Sequence, residues 1–124
     1  MHNRLAGVNL VTADPQRLAY FYRDVLGASI EEGRGGPDRI EIWFGPQGEG
    51  TVCIAANRDP DFVPHAYAAC QGLELRVADV DALYAQVCAA GVQPAAPPQN
   101  LPWGYRYFHV EDPDGNGVDL VQKL

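Results

Sequence analysis

The sequence predicts an α+β fold of two βαβββ modules. Three observations predict it. Residues 5–27, LAGVNLVTADPQRLAYFYRDVLG, and residues 70–91, CQGLELRVADVDALYAQVCAAG, follow one pattern: an alternating apolar segment, an Asp, apolar residues at helical spacing, and a Gly. Gly7 and Gly72, Val8 and Leu73, Leu10 and Leu75, Asp14 and Asp79, and Leu18 and Leu83 correspond at one constant offset, close to half of the 124 residues. Each helical stretch is followed by short period-two segments bounded by Gly- and Pro-containing turns. Two copies of one unit commonly enclose one groove, where function is to be sought.

Residues 5–12 alternate and form the first strand. Asp14 is a good N-cap and Pro15 is tolerated in the first helical turn. Leu18, Phe21, Tyr22, Val25 and Leu26 then recur at spacings of three and four, which is one buried helical face, and Gly27 closes the helix as its C′ residue. Residues 28–32 are a second strand. Residues 33–38, GRGGPD, are a turn or mobile loop. Residues 39–44 and 51–56 are strands joined by GPQGEG.

Module one spans about 1–57, a connector 58–69, and module two about 70–124, the whole being one domain of 1–124 by length. In module two, residues 73–77 are a strand and 80–90 a helix. A short strand starts at Val92, and 95–102, AAPPQNLP, are a loop. Residues 105–110 and 118–122 form a last hairpin around DPDGN.

Composition is that of an ordinary globular chain, 47% apolar and 20% charged. A formal net charge of -7 argues against nucleic acid as partner, because nothing would neutralise phosphates. Cys53, Cys70 and Cys88 are odd in number and widely spaced, which fits neither a disulfide framework nor a thiolate zinc site and suits a reducing compartment. The N-terminal residues lack an apolar run long enough for a signal peptide or membrane span. The expectation is a cytoplasmic protein without membrane or nucleic-acid partners.

Strand periodicity sorts the faces. Val8, Leu10, Ile40, Ile42, Phe44, Val52, Ile54, Leu73, Leu75, Val77, Phe108, Val110, Val118 and Leu120 point to the core. The opposite face carries Asn9, Val11, Glu41, Trp43, Cys53, Glu74, Arg76, Tyr105, Tyr107, His109, Asp119 and Val121. Aromatic groups with a few convergent polar side chains are the lining of a small-molecule pocket. His109 and Asp119 face one another across the last hairpin, as a structural or a ligand-orienting pair. Trp103, before Gly104, is placed beside this face, where an indole stacks on a flat ring or attracts a cation. Cys53, Cys70 and Cys88 read as packing residues, and His2 and His65 as surface residues.

LVTADPQRLAYFYRDVLGA, LRVADVDALYAQVCAAGV and DPDGNGVDLVQ, in this order and spacing, resemble the vicinal oxygen chelate superfamily. That group includes glyoxalase I, extradiol dioxygenases, fosfomycin-modifying enzymes and bleomycin-type resistance proteins, and the resemblance implies that the curved mixed sheets of the two modules form a cup with the helices packed outside. Its metalloenzymes place ligands at four inward positions, which here fall on Gly7, Cys53, Gly72 and Asp119. Glycine has no ligating side chain, and a catalytic metal needs about three protein ligands. The Pro-Trp-Gly run at 102–104 is similar to the bleomycin-resistance-like branch, where two chains commonly pair, so the resemblance implies a homodimer.

The reading is therefore metal-independent binding of a small aromatic or cationic molecule, with no cofactor. Trp43, Trp103, Tyr105 and Tyr107 would stack; Glu41, Glu74 and Asp119 would supply charge; Asn9, Arg76 and His109 would hydrogen-bond, and Cys53 would leave room. The alternative is a glyoxalase- or dioxygenase-like lyase or oxidoreductase. It would use a divalent metal at a non-standard site, or the His109–Asp119 pair as general acid–base, with His109, Asp119 and Glu74 catalytic.

Overall fold

The structure is a computed structural model describing residues 3–64 and 72–124. The chain divides into two compact units between Pro64 and His65. His2, His65 and Cys70 lie outside the described residues.

The first unit contains β1 (Gly7–Thr12), α1 (Pro15–Asp24), β2 (Ser29–Gly33), β3 (Gly36–Trp43) and β4 (Cys53–Arg58), in sheet order β1-β4-β3-β2. β1 and β4 are parallel; the other pairs are antiparallel. Asp14 caps α1, its Oδ1 accepting from the Arg17 N–H at 3.1 Å. Leu18, Ala19 and Tyr22 of α1 are buried with Ile40, Ile42, Ile54 and Ala56 in the core of this unit. Gly27, at φ 81°, turns the chain after the helix at low steric cost.

The second unit repeats this order with β5 (Gly72–Arg76), α2 (Val80–Ala89), β6 (Gln99–Leu101), β7 (Tyr105–Glu111) and β8 (Gly117–Lys123). Its sheet runs β5-β8-β7-β6, and β5 and β8 are the parallel pair. Asp79 caps α2 through the Ala82 N–H at 3.0 Å, and Gln122 of β8 accepts from the Val80 N–H at 2.8 Å. Val80 and Val87 are buried with Phe108, Val110, Val118 and Leu120, and Tyr84 meets Phe108 edge to face at 5.4 Å. Among the described residues, no helix is long and apolar enough to cross a membrane.

The α+β class and the two βαβββ repeats are as expected; several boundaries are not. The segment read as the turn GRGGPD is largely strand, because β3 begins at Gly36 and the hairpin closes over Arg34 and Gly35. No strand starts at Val92. The second strand of that unit is β6, inside the stretch read as a loop, where the Asn100 and Arg106 positions pair. Val52, assigned to the core, precedes β4 and is exposed. Cys88, assigned to packing, is exposed on α2.

Candidate functional site

The register of the second sheet arranges one face in rows. Glu74, Asp119 and His109 are successive neighbours across β5, β8 and β7. Two residues along the strands, Arg76, Val121 and Tyr107 form the next row. A third row holds Lys123, Tyr105 and Leu101. Period-two alternation puts these rows on one face and Leu75, Phe108 and Leu120 on the other.

A cleft of about 400 Å³ opens over this face, lined by Glu74, Arg76, Leu101, Trp103, Tyr105, Tyr107, Asp119 and Val121. Its size falls in the range of small-ligand sites. Trp103 stands at the cleft in the turn between β6 and β7 and is 69% exposed. Gly104, at φ 88°, allows that turn. The Arg76 guanidinium lies 5.0 Å from the Tyr105 ring centre and donates to its hydroxyl at 3.2 Å. His109 Nδ1 and Asp119 Oδ1 are 2.7 Å apart, so the pair expected across the hairpin is formed.

Three devices hold these rows. Asp112 of the DPDGN turn accepts at Oδ1 from the N–H groups of Asp114 and Asn116, at 2.9 and 3.0 Å, and at Oδ2 from the Asn116 side chain at 2.8 Å. This turn closes the β7–β8 hairpin and fixes His109 opposite Asp119. On the helix side, Arg106 of β7 makes a two-pronged ion pair with Asp81 of α2, at 2.9 and 3.0 Å. The guanidinium draws the Asp81 carboxyl below its ordinary range. The same Arg106 donates to Asn100 at 3.1 Å, which ties β6, and with it Leu101, to the sheet.

The first unit holds the remaining expected residues in a different setting. Glu41 is engaged, accepting from Arg34 at 3.2 Å and from the Trp43 indole at 3.3 Å. Trp43 is 7% exposed, too enclosed to offer an open stacking face. Asn9 accepts from Asn57 at 3.1 Å, and Asn57 in turn accepts from Arg39 at 2.9 Å. Two clefts of this unit are lined by residues such as Gln16, Glu32, Pro37 and Arg39, without an aromatic ring.

Cys53 is half-buried, and burial followed by the Glu41 charge pushes its thiol up. A thiol held protonated is a poor nucleophile. Iodoacetamide at neutral pH should therefore label exposed Cys88 well before Cys53 in a time course followed by peptide mass mapping. Equal rates would contradict this placement of Cys53.

Of the expected site residues, Glu74, Arg76, Trp103, Tyr105, Tyr107 and Asp119 thus line one cleft, with His109 bonded at its edge. Asn9, Glu41, Trp43 and Cys53 belong to the first unit. Sequence reasoning missed Leu101, because its strand was read as a loop. It also missed Arg34 and Asn57, whose pairing with Glu41 and Asn9 carries no local sequence signature.

Each unit has one helix on a mixed sheet in βαβββ order, and the tandem repeat of that unit defines the structural class. The sequence profile of the Glyoxalase/Bleomycin resistance protein/Dioxygenase superfamily matches residues 4–120, and the chain belongs to that superfamily. Solved structures share the fold. A glyoxalase/bleomycin resistance protein/dioxygenase from Nocardioides is 19% identical over 100% of this chain and 85% of its own, with a TM-score of 0.75. A superfamily member from Sphaerobacter thermophilus is 23% identical over 98% of both chains, with a TM-score of 0.77. TioX from Micromonospora is 23% identical over 98% of this chain and 100% of its own, at 0.71. No curated protein matches the chain.

Among the described residues, the positions at which the resemblance places a divalent metal do not fit one. The positions that the resemblance implies on β1 and β5 are Gly7 and Gly72. A Cβ at Gly7 would lie 2.9 Å from the Cys53 carbonyl oxygen, and one at Gly72 would lie 2.8 Å from that of Gly117. Each strand pair therefore leaves no room for a side chain where a ligand would start. Among the described residues, no three of His, Cys, Asp and Glu come together as a metal cage, Glu74, Asp119 and His109 included.

Proposed function

We propose that this protein binds a small aromatic or cationic molecule without a metal, in the cleft of its second unit. One observation carries the reading: Trp103, Tyr105 and Tyr107 line the same cleft as Glu74 and Asp119. Aromatic faces recognise flat rings and cations, and carboxylates add attraction for positive charge. Glu74 is exposed and, among the described residues, has no hydrogen-bonding or ion-pairing partner, so its charge is available to a ligand. His109 orients Asp119 through their 2.7 Å contact. Binding of this kind needs affinity and no bond-making step. The resemblance to the bleomycin-resistance-like branch supports a homodimer as the working form, and three widely spaced cysteines suit a reducing, cytoplasmic setting.

A thermal-shift panel tests this. A ligand that binds only the folded state raises the melting temperature with concentration. Flat aromatic cations such as proflavine should raise it in the presence of excess EDTA, whereas uncharged aliphatic diols should not. A panel in which only added Zn, Ni or Mn salts stabilise the protein would overturn the proposal.

A further inference from the structure

The charges on the cleft face are sorted by row, and that sorting narrows the ligand class. This step rests on the proposed binding function. The first row is acidic, with Glu74 beside Asp119. The second and third rows carry Arg76 and, opposite Tyr105, Lys123. Each row is two residues from the next, so the acidic and basic ends are one to two row spacings apart, about 7 to 13 Å.

Arg76 does not neutralise Glu74. Among the described residues neither enters an ion pair, although both are exposed on one strand. The Arg76 guanidinium is instead turned onto the Tyr105 ring and hydroxyl. That contact leaves the cation without a counter-charge and directs it away from the acidic row. Glu74, Asp119 and Arg76 line the cleft itself, and Lys123 extends the basic end beyond that lining, so the face attracts neither sign uniformly. The aromatic groups Tyr107 and Trp103 line the same space.

We infer that the ligand is a zwitterionic aromatic molecule. Its ring would lie against Tyr107 and Trp103, its ammonium group at Glu74 and Asp119, and its carboxylate or other anionic group at Arg76. A guanidinium favours a planar, two-oxygen anion, which a lone aromatic cation does not supply.

Nuclear magnetic resonance can test this on the whole chain. The Trp103 indole N–H is followed during titration with 4-(aminomethyl)benzoate, with its methyl ester, and with benzoate. The resonance is assigned from the spectrum of W103F. The zwitterion should bind about tenfold more tightly than either the ester or benzoate, the effect of one charge-assisted contact. R76Q should erase the advantage of the acid over its ester. Equal affinity for acid and ester, or an advantage that survives R76Q, overturns the zwitterion assignment while leaving the aromatic cleft standing. If none of the three probes shifts the Trp103 resonance, both readings fail.

Discussion

Gly72→Ala should destabilise the protein by about 2 kcal/mol, lowering its melting temperature by about 8 °C. The direction is the informative part. Gly72 lies in extended backbone that any residue can adopt, where alanine would ordinarily stabilise by about 0.4–1 kcal/mol through the unfolded chain. Here the new Cβ meets the Gly117 carbonyl oxygen at 2.8 Å and its carbon at 3.3 Å. Both atoms are backbone and cannot rotate away, so β5 and β8 must separate where they begin to pair. The same direction holds for Gly7→Ala, against the Cys53 carbonyl at 2.9 Å. Calorimetric unfolding of both variants checks the claim; an alanine variant at least as stable as the parent would contradict it. The functional corollary is that Gly72→His incurs the same clash, so restoring one ligand residue does not restore a metal site.

Trp103→Ala should separate binding from stability. The indole is 69% exposed, so its removal should change unfolding free energy by no more than about 0.5 kcal/mol. An aromatic stacking contact is worth about 1–3 kcal/mol on truncation to alanine, so affinity for a flat aromatic cation should fall about tenfold or more. The apparent excess of binding loss over stability loss is what a ligand contact produces. A residue that only covers the edge of the core would show the reverse. Titration calorimetry alongside thermal unfolding distinguishes the two.

The repeat made most of the fold legible. Asp14 and Asp79 each cap a helix at the position their spacing indicates, and the hairpin count around DPDGN places His109 opposite Asp119. Illegible elements were those whose local pattern contradicts their pairing. Residues 99–101 follow two prolines and form a strand of three residues, held by β7 and the Arg106–Asn100 contact rather than by alternation. Gly36, Pro37 and Asp38 have turn chemistry yet extend β3: Gly36 pairs with Gly33 of β2, and Pro37 and Asp38 fall in the register shift between that pair and Glu32–Ile40. On the site face, alternation correctly grouped Glu74, Arg76, Tyr105, Tyr107 and Asp119. It could not show that Glu41 is engaged by Arg34 or that Trp43 is enclosed, because burial and long-range partners are tertiary properties.

Titration of EDTA-treated protein with proflavine, read by calorimetry for the parent chain and for Trp103→Ala, bears most directly on the central claim. The expected result is saturable binding to the parent without any metal, weakened about tenfold or more in the variant. Binding that appears only when a divalent metal is restored, or that is equally strong in Trp103→Ala, would contradict metal-independent recognition in the cleft of the second unit.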